Sequence, residues 1–91
     1  TMSYMIEDRY VKWGLEEPEY IGDKPGIVGV QVVVDKSGDV KKTSVHSATT
    51  ITDENVIDAA RKAALKVHFN INFDAPETQN GVITYNYKLK E

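Results

Sequence analysis

Valines fall at 28, 30, 32 and 34 in the stretch Gly26 to Asp35, all on one face of an extended chain. Ile27, Gly29, Gln31, Val33 and Asp35 fall on the other. One wholly apolar face against a mixed one predicts a strand lying on a core. Asp35-Lys36-Ser37-Gly38-Asp39 then reads as a turn, with Gly38 free to take a positive φ. A second strand follows from Asp39 to about Ser47. Its apolar residues Val40 and Val45 have opposite parity, which predicts either a bulge near Lys42-Thr43 or a strand with little burial. The two strands form a hairpin.

The period changes after Thr52. Val56, Ala60, Ala63 and Val67 recur at helical spacing, Ile57 and Ala64 widen the stripe, and Asn55, Asp58, Arg61, Lys62 and Lys66 cover the outside. Thr52 is the expected N-cap, Asp53 and Glu54 place negative charge at the positive end of the dipole, and the helix is expected to end around His68 to Asn70. A polar loop with Pro76 leads to a last strand, Gly81 to Lys90, in which Ile83, Tyr85, Tyr87 and Leu89 alternate with Thr84, Asn86, Lys88 and Lys90. The core is therefore β-β-α-β. A right-handed crossover puts the last strand parallel to the second and leaves the first between them. On this topology the last strand lies at a sheet edge.

Residues 1–25 read as an N-terminal extension and residues 26–91 as the core of one domain. Ser3 to Glu7 could form a short strand, Arg9 to Leu15 a turn or short helix, and Glu16 to Tyr20 an extended segment, because Pro18 biases its predecessor away from α. The expected fold class is α+β. It has a three-stranded antiparallel/mixed sheet, four-stranded if the N-terminal segment joins it, with one long helix on one face.

Composition agrees and narrows the chemistry. The 91 residues hold 41% hydrophobic and 27% charged side chains, an ordinary globular balance. Eleven basic against fourteen acidic side chains give a net charge of −3, which argues against a phosphate-backbone binder, so no nucleic-acid partner is expected. The absence of cysteine excludes disulfides and thiolate chemistry. The longest apolar stretch, Ile27 to Val34, is far short of the roughly 20 residues that span a bilayer. The chain opens Thr1-Met2 without a basic leader, as expected of a domain excised from a longer parent.

Candidate catalytic groups do not assemble into a set. His46 and His68 lack metal-ligand spacing, and His68 near a helix C-terminus reads as a favourable cation there. Asp53-Glu54 is the common form of a helix start. No nucleophile elbow, dinucleotide fingerprint or P-loop occurs. Trp13 and the five tyrosines could stack on sugars or bases, but packing accounts for them more simply. No enzyme, metal or cofactor is expected. The free edge of the last strand is the remaining candidate, since unpaired N–H and C=O groups are either blocked or used to add a partner's strand.

Several stretches together resemble the C-terminal domain of the TonB family, in the version found in Bacteroides-like bacteria. Pro18-x-Tyr20 precedes Gly26-x-Val28-x-Val30-x-Val32-x-Val34, then Gly38-x-Val40 and Val45, then Thr49-Thr50 and Asp53. Ala59-Ala60-x-x-Ala63-Ala64, Lys66-Val67-His68-Phe69-Asn70 and Gly81-x-Ile83-Thr84-Tyr85-x-Tyr87-x-Leu89 complete the pattern over residues 17–90. The resemblance implies a periplasmic domain, anchored to the inner membrane in its parent, that grips the TonB box of an outer-membrane transporter as a strand added to its last β-strand. A proton-driven inner-membrane complex then supplies the pull. Carried onto this chain, the partner-binding residues are Pro18, Tyr20, Ile83, Thr84, Tyr85, Asn86, Tyr87, Lys88 and Leu89. The family's Q-P-x-Y-P segment is here Glu17-Pro18-Glu19-Tyr20-Ile21, so its Gln and second Pro are absent, and no proline adjoins Phe69. An alternative from another class is a sensor or regulatory module on a membrane protein that is not a transport motor. The same free edge would also serve a strand-paired homodimer.

Overall fold

The structure, a computed structural model, describes residues 1–20 and 22–88. Its elements run β1 (Met2–Met5), β2 (Val11–Trp13), β3 (Gly26–Asp35), β4 (Val40–Val45), α1 (Glu54–Leu65), β5 (His68–Phe69) and β6 (Thr78–Tyr87). The fold is α+β, as expected. A four-stranded sheet in the order β1-β6-β3-β4 is antiparallel at every junction, and β2 and β5 form a second, two-stranded sheet.

The alternation in β3 sets the core. Val28, Val30, Val32 and Val34 are fully buried and share their face with Ile83, Tyr85 and Tyr87 of β6. Helix α1 covers the β3–β4 half of that face with Val56, Ala60 and Ala64. The β1–β6 half is covered by Phe69 together with the partly buried Val11, Leu15 and Tyr20. The opposite sheet face carries Gln31, Val33, Val82, Thr84 and Ser3 and has no covering layer among the described residues.

Several expectations need correction. The last strand is not at an edge: β1 pairs with it from Met2 opposite Tyr85 to Met5 opposite Val82. The alternation Met2, Tyr4, Ile6 gives this segment an apolar face that completes the core. The last strand also begins three residues early, at Thr78, because Asp35 to Val33 still offer β3 partners there. The helix cap is Asp53 rather than Thr52, since the Asp53 carboxylate accepts the Asn55 N–H at 2.9 Å and adds negative charge at the dipole's positive end.

The helix stops at Leu65, well before His68. Beyond it Val67 and Phe69 are buried with His68 between them, a period of two. The main chain there is claimed from both sides: Phe69 N–H donates to Gly38 O at 2.8 Å and Asn70 N–H to Tyr10 O at 2.9 Å. Val11 to Trp13, expected as turn or helix, is the strand that pairs with it. The bulge in β4 falls at Lys41, between the Val33–Lys42 and Val34–Val40 pairs, and β4 is also lightly buried.

Candidate functional site: the lane beside the last strand

In a central antiparallel strand successive residues direct their main-chain groups to opposite neighbours. Asn86 N–H donates to Thr1 O at 2.8 Å, so Asn86, Thr84 and Val82 address β1, while Tyr87, Tyr85 and Ile83 address β3. The lane along the outer side of β6 is therefore held by residues 1–5. The lane outside β3 is completed differently. Where β4 has ended, Thr50 Oγ1 accepts the Ile27 N–H at 2.9 Å and Thr49 Oγ1 accepts the Gly29 N–H at 2.9 Å. These two hydroxyls close the ladder by side chain, which is the physical role of the Thr49-Thr50 pair.

The residues singled out from the sequence divide accordingly. Ile83, Tyr85 and Tyr87 are buried on the core face, so their side chains meet only the side chains of a lane strand that also turn to the core, as Tyr4 and Met2 do. Thr84 and Asn86 point to the uncovered face and are half-buried, and Lys88 is exposed. Leu89 lies outside the described residues. Pro18 and Tyr20 come beside the end of β6: with Glu17, Asn86, Tyr87 and Lys88 they line a cleft of about 510 Å³. Tyr20 stacks on Tyr87 with ring centroids 5.0 Å apart. The chain thus brings Pro18, Tyr20 and residues 86–88 together, and separates them from Ile83 and Tyr85.

Burial pushes both core phenols up to about 12 from their usual 10, reinforced at Tyr85 by Tyr87 and at Tyr87 by Glu17 and Tyr20. The neutral phenol is favoured in the fold, so this contribution is intact below pH 10 and lost as pH rises towards 12. Stability is expected to fall across that window by roughly 2–3 kcal/mol per phenol at most. An alkaline titration of tyrosinate absorbance checks this: two of the five phenols should ionise near pH 12, and Tyr85→Phe should remove one of them.

Neither histidine meets the lane. His46 packs against Gly29 and its Nδ1 accepts the Ala48 N–H at 3.1 Å. His68 sits on β5, with Nδ1 2.8 Å from Asp39 Oδ1, rather than on a helix end. Its ring stacks on Trp13 at 4.2 Å, and Trp13 remains 59% exposed. With Tyr10, Lys12 and Ile71 these residues line a second cleft of about 290 Å³. Among the described residues no group of three or more His, Cys, Asp or Glu could hold a metal ion, and no helix is long and apolar enough to cross a membrane.

Sequence reasoning left open whether Ser3 to Glu7 occupies the lane, and residues 2–5 do. The signal was the alternation Met2, Tyr4, Ile6, which is legible but does not say which strand it joins. Compared with known proteins, the chain matches no family model, no curated protein and no solved structure.

Proposed function

We propose that this domain binds an extended segment of another protein as a strand in the lane beside β6. In this reading it is the periplasmic domain of a TonB-like energy transducer, and the segment is the TonB box of an outer-membrane transporter. Residues 17–90 carry the resemblance that supports the transducer, and a proton-driven inner-membrane complex would act through the parent chain. Main-chain hydrogen bonds across a strand pair suit a load applied along the strand, because several must yield together.

One observation carries the strand-addition part. The lane is held by a strand of four residues, three of them exposed, paired with β6 in a main-chain register that a partner's main chain can reproduce. Its neighbours at the end of β6, Pro18 and Tyr20, form the cleft against which an incoming segment would lie.

The test is a titration with TonB-box peptides followed by amide chemical shifts. Shifts are expected at Val82, Thr84 and Asn86 and around Pro18 and Tyr20. Ser3→Pro removes the N–H that bonds Thr84 and frees the lane. Because a tethered strand competes at roughly millimolar effective concentration, the variant should bind about tenfold or more tightly than the wild-type chain. Binding that leaves residues 82–86 unmoved, or is unchanged by Ser3→Pro, overturns the reading. Shifts at those residues that depend on protein concentration alone would make the partner a second copy of the chain.

A further inference from the structure

The main chain of β1 explains that a strand fits beside β6; its side chains show which strand fits. Three side chains of residues 2–6, two in β1 and one just after it, face the core. Ile6 is buried and lies over Gly81, where an added Cβ would come 2.7 Å from the Ile6 Cβ. A glycine opposite a branched aliphatic residue is a socket made by removing a side chain. Tyr4 lies opposite Ile83, its ring meeting Phe69 edge-on at 5.9 Å and 73°, and its hydroxyl accepts the Val11 N–H at 3.3 Å. Edge-to-face packing with a hydrogen-bonded hydroxyl is a tyrosine's fit rather than that of any apolar residue. Met2, opposite Tyr85, is partly buried against the same core. The residues between point the other way: Ser3 is exposed and Met5 is 80% exposed.

The attachment of β1 also allows it to leave. The chain turns out of the sheet at Asp8, which holds a left-handed φ of 58° without being glycine. A residue with a Cβ is disfavoured in that conformation, and opening the turn relieves it. The next residue, Arg9, is buried, and its guanidinium donates to Asn70 O and Asp35 O, both at 2.8 Å. The turn at Asp8, immediately ahead of the Arg9 anchor, is where residues 1–7 would part from β2 and the rest of the core, giving up the contacts of Thr1 with Glu17 and Asn86 and of Glu7 O with Gln79.

Resting on the strand-addition reading above, we infer that the lane selects its partner by sockets at alternate positions facing Tyr85, Ile83 and Gly81, and that residues 2–6 are an internal copy of the ligand. The partner is an extended segment of the form apolar-x-Tyr-x-aliphatic, running antiparallel to β6. It competes with β1 for the lane, so the domain is self-occupied until such a segment arrives.

An alanine scan of a peptide copied from residues 1–7, titrated into the Ser3→Pro chain, tests this. Amide shifts should concentrate at Val82, Thr84 and Asn86, with ring-proton shifts at Phe69. Alanine at the Tyr4 and Ile6 equivalents should each weaken binding tenfold or more, and at the Ser3 and Met5 equivalents less than twofold. Phenylalanine at the Tyr4 equivalent should retain part of the affinity. Uniform losses of less than threefold along a peptide that still shifts residues 82–86 would overturn the sockets and leave strand addition standing. No shifts there with any extended peptide would overturn both. The ranking is read again on the wild-type chain in peptide excess, so misfolding of the Ser3→Pro chain does not decide the outcome.

Discussion

Gly38→Ala is expected to destabilise the domain by about 3–5 kcal/mol, among the largest effects a single methyl can have here. Two independent costs add. Gly38 holds φ +92°, a conformation that carries a penalty of about 1–2 kcal/mol for a residue with a Cβ. The added Cβ would also land on the carbonyl oxygen of Phe69, a backbone atom fixed because Phe69 N–H donates to Gly38 O at 2.8 Å. Relief of the clash therefore requires the β3–β4 turn and β5 to separate, which withdraws the buried Phe69 ring from the core. Denaturant unfolding should show the loss directly. At roughly 4–8 °C per kcal/mol for a domain of this size, the Tm should fall by about 12–40 °C. A loss below 1 kcal/mol would mean that the turn and β5 are not coupled as described.

Arg9→Ala is the second large effect, expected at about 3 kcal/mol. The guanidinium is buried, and its two terminal nitrogens donate to main-chain carbonyls from different parts of the chain, Asn70 in the loop after β5 and Asp35 at the end of β3. Hydrogen bonds from a charged donor contribute about 1.5–3 kcal/mol, and their loss removes a donor from Asn70 O, while Asp35 O keeps the Gly38 N–H. Arg9→Lys should recover less than half, since an ammonium on a single stem cannot reach both acceptors in the fork geometry. Lys12→Ala, an exposed neighbour, should stay within about 0.5 kcal/mol. Equilibrium unfolding of the three variants checks the order, and equal stability of Arg9→Lys and wild type would show that charge alone is sufficient.

The parts legible from the sequence are those with a sustained period. Four valines at alternate positions specify β3 and its buried face, and the alternation around Tyr85 specifies β6. The stripe through Val56 and Ala60 specifies α1, and together these determine the β3–β4–β6 topology. The opposite parity of Val40 and Val45 foretold the irregularity at Lys41. Short elements were opaque for a physical reason. Val11 to Trp13 is too brief for alternation to register, and Val67-His68-Phe69 directly follows a helical stripe that masks its change of period. Both become strands through pairing with each other, and β5 through Gly38 as well. The placement of β1 was half legible: Ser3 to Glu7 read as a strand that could close the edge of the last strand, but its partner lies some eighty positions along the chain, so the pattern alone did not decide it. The site inherits this division. Pro18, Tyr20 and residues 86–88 come together at the end of β6, whereas Ile83 and Tyr85 lie further along the strand, turned to the core like Tyr87 but away from the cleft.

The separation between β1 and β6 has a consequence for the order of events during synthesis. A ribosome delivers residues 2–5 early and their partner, residues 82–85, almost last. The β3–β4 hairpin and the helix close over short chain distances and can form meanwhile, whereas the closing pair waits for a loop of the greatest length the domain contains. Met2, Tyr4 and Ile6 therefore have nothing to lie against until the rest of the sheet exists. β1 is the last piece to arrive at a surface already built, in the same position as a strand offered by another molecule.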